Sequence, residues 1–121
     1  MEKEIILLVD DEKDLVKIVK NRLEAAGYGV LVAYDGAQAL EKVKERPNLV
    51  LLDIMMPGLD GFEVLRRLRN NKNTREIPVI MFTAAGESRS IFEAQGLGVT
   101  DYIIKPFEPE KLLSLIKRCI L

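Results

Sequence analysis

Five short runs of apolar, largely β-branched residues recur along the chain: IILLV at 5–9, VLVAY at 30–34, LVLL at 49–52, VIMF at 79–82 and DYII at 101–104. They are apolar nearly throughout. A strand with one wet face would alternate, so such runs require cover on both faces, as a parallel sheet between two helical layers provides. Segments of helical length fill the gaps. The stretch DLVKIVKNRLEAAG places Leu15, Val19, Leu23 and Ala26 on one stripe, Val16 and Ile18 widen it, and Gly27 closes it. Similar periodicity runs through GAQALEKVKER (36–46), GFEVLRRLRNN (61–71) and PEKLLSLIKRCIL (109–121), and more weakly through SRSIFEAQG (88–96), where the apolar stripe is thin. The order is a β-strand followed by a helix, five times over.

That order predicts an α/β fold: a doubly wound, three-layer (βα)5 sandwich around a five-stranded parallel sheet with right-handed crossovers. Strand order does not follow from the sequence alone, but the flavodoxin-like order 2-1-3-4-5 is the common solution for five such units. With 121 residues, the chain is expected to be one domain, 1–121, burying about two thirds of the surface its unfolded form exposes. No linker or low-complexity tract interrupts it. The longest apolar runs fall well short of the roughly 20 residues of a membrane-spanning helix, so no membrane association is expected. The start, MEKEIILLVDDE, lacks the basic opening and cleavage site of a secretory signal, which points to the cytoplasm.

Composition removes whole classes of chemistry. The chain has no histidine, which excludes histidine-based zinc sites, Ser-His-Asp triads and histidine general bases. Its single cysteine, Cys119, has no internal disulfide partner and reads as a small hydrophobe of the last helix. Eighteen Lys and Arg stand against nineteen Asp and Glu, a net charge of -1, so no global field favours direct nucleic-acid binding.

In open α/β sheets, sites form beyond the carboxyl ends of the strands. After the first run come Asp10, Asp11 and Glu12; after the third, Asp53; after the fourth, Thr83; after the fifth, Lys105 and Pro106. The second is followed by Asp35 and Gly36, a turn with no obvious chemistry. Carboxylates gathered at strand ends repel one another unless a proton or a cation intervenes. Without histidine, the natural cation is hard and oxygen-loving, and Mg²⁺ fits a small carboxylate set, with Mn²⁺ as a substitute. Such a cation and Lys105, with the Thr83 hydroxyl, would accommodate a dianionic phosphoryl group. Asp53, already ionised at neutral pH, is the candidate nucleophile. Asp10 and Asp11 would hold the metal, Lys105 would neutralise a phosphoryl oxygen, and Thr83 would donate to another.

The fragments VDDE (9–12), LLDIMMPGLDG (51–61), FTA (82–84) and DYIIKPF (101–107), in this order and spacing, resemble the receiver domain of bacterial two-component response regulators across essentially the whole chain. The resemblance implies that Asp53 is the phosphoacceptor and that Asp10 and Asp11 serve the metal, with the Met55 backbone carbonyl as a further ligand. By the same resemblance Lys105 would be the matching lysine, joined to Pro106 by a cis peptide bond, Thr83 would be the switch hydroxyl and Tyr102 the switch aromatic. It also implies a histidine kinase or histidine phosphotransfer protein as donor and slow self-dephosphorylation. A downstream protein or a second receiver would read the face built from the fourth helix, fifth strand and fifth helix.

Plainer readings stand beside these. Asp11 serves equally as an N-cap with Asp14 three residues on, Thr83 as a strand-end hydroxyl, Lys105 as a surface lysine and Tyr102 as a strand tyrosine. Pro57, Gly58 and Gly61 read first as turn residues, Met55 and Met56 as packing, and Arg66, Arg67 and Arg69 as a solvated basic run. The rival function is a protein-binding module of the same fold that acts without phosphate. A flavin carrier is disfavoured because DDEKD follows the first strand where a phosphate loop would stand. A P-loop hydrolase lacks its GxxxxGK[ST] motif. A phosphatase with an aspartate nucleophile usually carries a second Asp two positions on, where this chain has Met55.

Overall fold

Each apolar run forms a strand: β1 (Ile5–Val9), β2 (Gly29–Ala33), β3 (Leu49–Asp53), β4 (Val79–Ala84) and β5 (Asp101–Lys105). The computed structural model describes residues 2–84 and 95–120. All neighbouring strands pair in parallel, in the order β2-β1-β3-β4-β5, so the doubly wound architecture expected from the apolar runs is the one found. Helices α1 (Lys13–Ala25), α2 (Gly36–Lys42) and α3 (Gly61–Asn70), and a last helix Pro109–Cys119, cover the sheet. Most of the fourth helical segment expected at 88–96 lies outside the described residues.

The sheet divides the core in two, which is why its strands could not alternate. Val9, Leu52, Val64, Leu65 and Met81 belong to one buried cluster. Leu8, Leu23, Leu51, Phe82 and Ile116 belong to the other. Every residue of central strand β3 is buried, Asp53 included. Burying apolar surface here stabilises the fold at about 25 cal/mol per Å², while the strand's backbone groups are satisfied by β1 and β4.

Several local expectations need correction. The buried stripe of α1 is Val16, Val19 and Leu23; Ile18, expected to widen it, is 60% exposed, because its direction on the helix turns it outward. Ala26 is exposed too. The second helix ends at Lys42 and tightens into a 3₁₀ turn, Val43–Glu45, before Arg46 adopts a left-handed backbone. Asp11 does not cap α1. That place is taken by Glu12, without a side-chain bond. Asp35, read as a bare turn residue, caps α2 by accepting from the Gln38 amide, and Asp60 caps α3 through the Glu63 amide. The basic run of α3 splits. Arg66 and Arg67 pair with Glu63 on the surface, whereas Arg69 is half-buried and donates to the carbonyls of Gly98, Arg75 and Ile77.

The loop between β3 and α3 is closed by the Gly61 amide donating to the Ile54 carbonyl. A Cβ at Gly61 would lie 2.4 Å from the Asp53 carbonyl oxygen and 2.8 Å from the Ile54 Cα, both rigid backbone. At Gly58 the constraint differs: φ is +77° but the surrounding space is open. Gly58→Ala is therefore expected to cost about 1–2 kcal/mol, the strain of a left-handed alanine. Gly61→Ala, which must displace the backbone behind Asp53, is expected to cost about 3 kcal/mol or more. Urea unfolding of both variants measures the difference, and equal costs would contradict this account of the loop.

Candidate functional site

Register brings the polar residues together. Val9 pairs with Leu52, so Asp10 and Asp53, each one residue further on, stand level at the ends of adjacent strands. Asp53 pairs with Phe82 and Thr83 with Ile104. Thr83 thus lies one step beyond the last level of β3, and Lys105, level with Ala84, one step beyond Thr83. Four of the expected residues occupy one end of the sheet because the parallel strands place their carboxyl ends there together.

The carboxylates of Asp10, Asp11 and Asp53 offer oxygens that all lie within 4.8 Å of one another. Asp10 and Asp53 are buried and Asp11 is exposed. Asp10 is held by two bonds: Oδ1 accepts from the Glu12 amide at 2.9 Å and Oδ2 from Lys105 Nζ at 2.9 Å. Lys105 Nζ also lies 3.4 Å from Asp53 Oδ1 and 3.8 Å from Glu12 Oε1. Burial pushes the Asp53 carboxyl up to about 6, helped by the Asp10 charge and opposed by Lys105. Burial alone would lower the Lys105 ammonium, but its hydrogen bond to Asp10 and the Asp53, Asp10 and Glu12 charges outweigh that and raise it. Lys105 remains a cation.

Three carboxylates less one ammonium leave two negative charges among Asp10, Asp11, Asp53 and Lys105. The donors are all hard oxygen atoms, so the set fits a divalent, oxygen-preferring cation such as Mg²⁺. The acidic pocket is therefore able to bind a metal.

The other expected residues fall around this centre. Thr83 is buried near the end of β4. Met55 is 71% exposed while Met56 is buried, so the neighbouring methionines serve differently. The Lys105–Pro106 peptide bond is cis. Tyr102 is half-buried on β5 and its amide donates to Asp101 Oδ1. Part of the expected fourth-helix, fifth-strand and fifth-helix face falls outside the described residues.

Sequence reading gave no role to two supporting groups. Glu12 reaches Lys105, and Phe82 lies beneath it, with the ammonium 5.5 Å from its ring centroid. Phe82 in turn stacks on Phe107 at 5.2 Å. The run KPF at 105–107 held that signal, since it places an aromatic two residues after the lysine. Beside Lys105, a groove of about 410 Å³ opens between α1 and the last helix; its apolar lining includes Leu15, Ile18, Phe107 and Leu113.

Comparison with known proteins agrees with this geometry. Residues 6–117 match the family model described as response regulator receiver domain. The chain is 44% identical over 118 residues to the probable transcriptional regulator ycf27 of Porphyridium aerugineum, an alignment covering 97% of this chain and 48% of that protein. It superposes with a TM-score of 0.94 on a putative response regulator from Chloroflexus aurantiacus J-10-fl, 31% identical and covered to 98% on both sides. With the chemotaxis protein CheY4 of Vibrio cholerae the TM-score is 0.92 at 32% identity, over 98% of this chain and 99% of that one. The chain spans about half the length of the curated relatives it matches.

A pH dependence follows. The Asp53 carboxyl titrates near 6 when folded and near 3.9 when unfolded. Between these values the folded state holds the extra proton, so this group's contribution to stability falls as pH rises from about 4 to above 6. Asp53→Asn removes the buried charge. In metal-free buffer the variant is expected to be more stable than the parent at pH 7.5 by about 1–2 kcal/mol after solvent screening, with the advantage shrinking toward pH 4. Thermal melts of both proteins across this range check it; an advantage that grows toward acid would contradict the assignment.

Proposed function

The chain belongs to the response regulator receiver family, and on that premise we propose that it is a phosphorylation-activated switch in which Asp53 accepts a phosphoryl group. The observation that carries this reading is the crowding of three carboxylates within 4.8 Å beside a single lysine. Such an arrangement is costly as a mere structural feature and useful for placing a nucleophile beside cationic charge.

An Asp53 carboxylate oxygen attacks phosphorus of a phosphohistidine, forming a P–O bond as the P–N bond breaks and the imidazole departs. At neutral pH Asp53 is mostly ionised and requires no general base. Asp10, Asp11, Asp53 and the Met55 carbonyl would hold Mg²⁺, or Mn²⁺ in its place, and the ion would supply charge neutralisation at the phosphoryl oxygens. Lys105 exchanges its contact with Asp53 for a phosphoryl oxygen while keeping Asp10, and Thr83 donates to another oxygen. Water admitted to the same pocket hydrolyses the acyl phosphate slowly.

The donor is a histidine kinase or histidine phosphotransfer protein, to which the apolar groove beside Lys105 offers a surface. The chain's lack of histidine suits the acceptor side of that exchange. Residues 1–121 act as a single cytoplasmic receiver domain. Movement of Thr83 toward the phosphoryl group opens space for Tyr102, and the face including β5 and the last helix changes for a downstream protein or a second receiver. No direct contact with nucleic acid or membrane is proposed for these residues.

Incubation with Mg²⁺ and acetyl phosphate, followed by intact mass, tests the phosphoacceptor. A gain of roughly 80 Da is expected, lost on chelation and in Asp53→Asn. No gain would favour the phosphate-independent binding module. Thr83→Ala and Tyr102→Ala are expected to retain the mass gain but lose most of the difference in partner affinity between phosphorylated and unphosphorylated protein, about tenfold or more. Unchanged coupling in a pull-down with the cognate partner would remove both residues from the switch.

A further inference from the structure

Strand β2 is an edge of the sheet: β1 pairs with one side of it, and among the described residues no strand pairs with the other. The Gly29 amide donates to the Glu4 carbonyl and the Ala33 carbonyl accepts from the Asp10 amide, so the odd-numbered residues of β2 face β1. In a parallel pair the alternate residues turn away, which directs the N–H and C=O groups of Val30 and Val32 to the open edge. Further along, the Tyr34 amide is already satisfied by Gln38 Oε1. The free stretch of edge is therefore short and has a defined end.

One flank of α1 overlooks this edge. Lys13, Lys17 and Lys20 fall on a single helical row, and together with Asp14, Val16, Val32 and Tyr34 they line a groove of about 390 Å³. Lys13 Nζ sits 5.7 Å from the centroid of the Tyr34 ring, which is 39% exposed. Among the described residues, Lys17 and Lys20 have no carboxylate partner. Asp14 is the only acidic residue in the lining, with Glu24 one turn beyond Lys20. On a chain of net charge -1, this is a local cationic rim around an apolar floor.

We propose that the groove between the lysine flank of α1 and the open edge of β2 docks an acidic peptide segment in extended conformation. Its backbone pairs with Val30 and Val32, apolar side chains meet Val32 and Tyr34, and its carboxylates meet the three lysines. The free backbone donors and acceptors select a peptide over a nucleic acid, and Asp14 on the rim opposes a continuous line of phosphates. This surface shares none of the phosphoacceptor residues, so its occupation is independent of the reading of Asp53.

The test is fluorescence anisotropy of the full chain with a labelled decapeptide repeating two valines and two glutamates, which sets both residue types on each face of an extended strand, beside its valine–glutamine counterpart. Saturable binding with a Kd of about 10–100 μM is expected for the acidic peptide, with amide shifts in NMR confined to Val30, Val32, Tyr34 and the lysine row. Lys17→Glu with Lys20→Glu, both on the helix surface, is expected to weaken binding at least about tenfold while leaving thermal stability and acetyl-phosphate labelling of Asp53 unchanged. Absence of saturable binding, equal binding of the glutamine peptide, indifference to the lysine reversals, or more effective competition by an oligodeoxynucleotide or an anionic phospholipid vesicle would each overturn the proposal.

Discussion

Mutual repulsion of the carboxylates at the carboxyl end of the sheet is the constraint around which the rest of the molecule is arranged. Asp10 has no solvent exposure and Asp53 only 6%, so neither is shielded by bulk water. Burial disfavours ionisation of Asp53, and the neighbouring Asp10 charge disfavours it further. What permits the cluster is Lys105, reaching across from β5 to Asp10 at 2.9 Å and Asp53 at 3.4 Å. Its compensation is incomplete by two charges, and that deficit is what makes the pocket receptive to a divalent cation. A fully neutralised cluster would have no need of a cation; this under-neutralised one could hold one.

The scaffold keeps this arrangement in place through backbone contacts that leave little room for change. Glycine at 61 lets the loop after β3 press against the Asp53 carbonyl. Gly36 plays a similar part at the start of α2, where a Cβ would lie 2.6 Å from the Leu59 Cβ and 2.7 Å from the Leu59 carbonyl oxygen. The aromatic pair Phe82 and Phe107 supports Lys105 from below. Packing on both faces of the sheet thus translates into fixed positions for the Asp53 carboxylate, the Lys105 ammonium and the Thr83 hydroxyl.

Much of this was legible in the residues. Continuous apolar strands announced a covered parallel sheet, and reading the residue after each run located Asp10, Asp53, Thr83 and Lys105 before any geometry was known. Hydrophobic periodicity was less informative at the edges of elements. Ile18 fits a widened apolar stripe by type and faces solvent by angle, since a helix rotates about 100° per residue. Arg69 looked like its neighbours Arg66 and Arg67, yet its carbonyl partners Gly98, Arg75 and Ile77 come from loops whose approach no local pattern encodes. The Asp35 cap was hidden because one residue type serves both turns and helix starts. Strand ends are written locally; long-range polar contacts are not.

The central claim is that the charge deficit at Asp10, Asp11 and Asp53 forms one divalent-cation site. The most direct measurement is a titration of Mn²⁺ into isotopically labelled protein, following paramagnetic broadening of backbone amide signals. The account predicts a single saturable site with broadening centred on Asp10, Asp11, Asp53 and Met55, reversed by excess Mg²⁺. Diffuse broadening over exposed acidic residues, or none at millimolar metal, would contradict it.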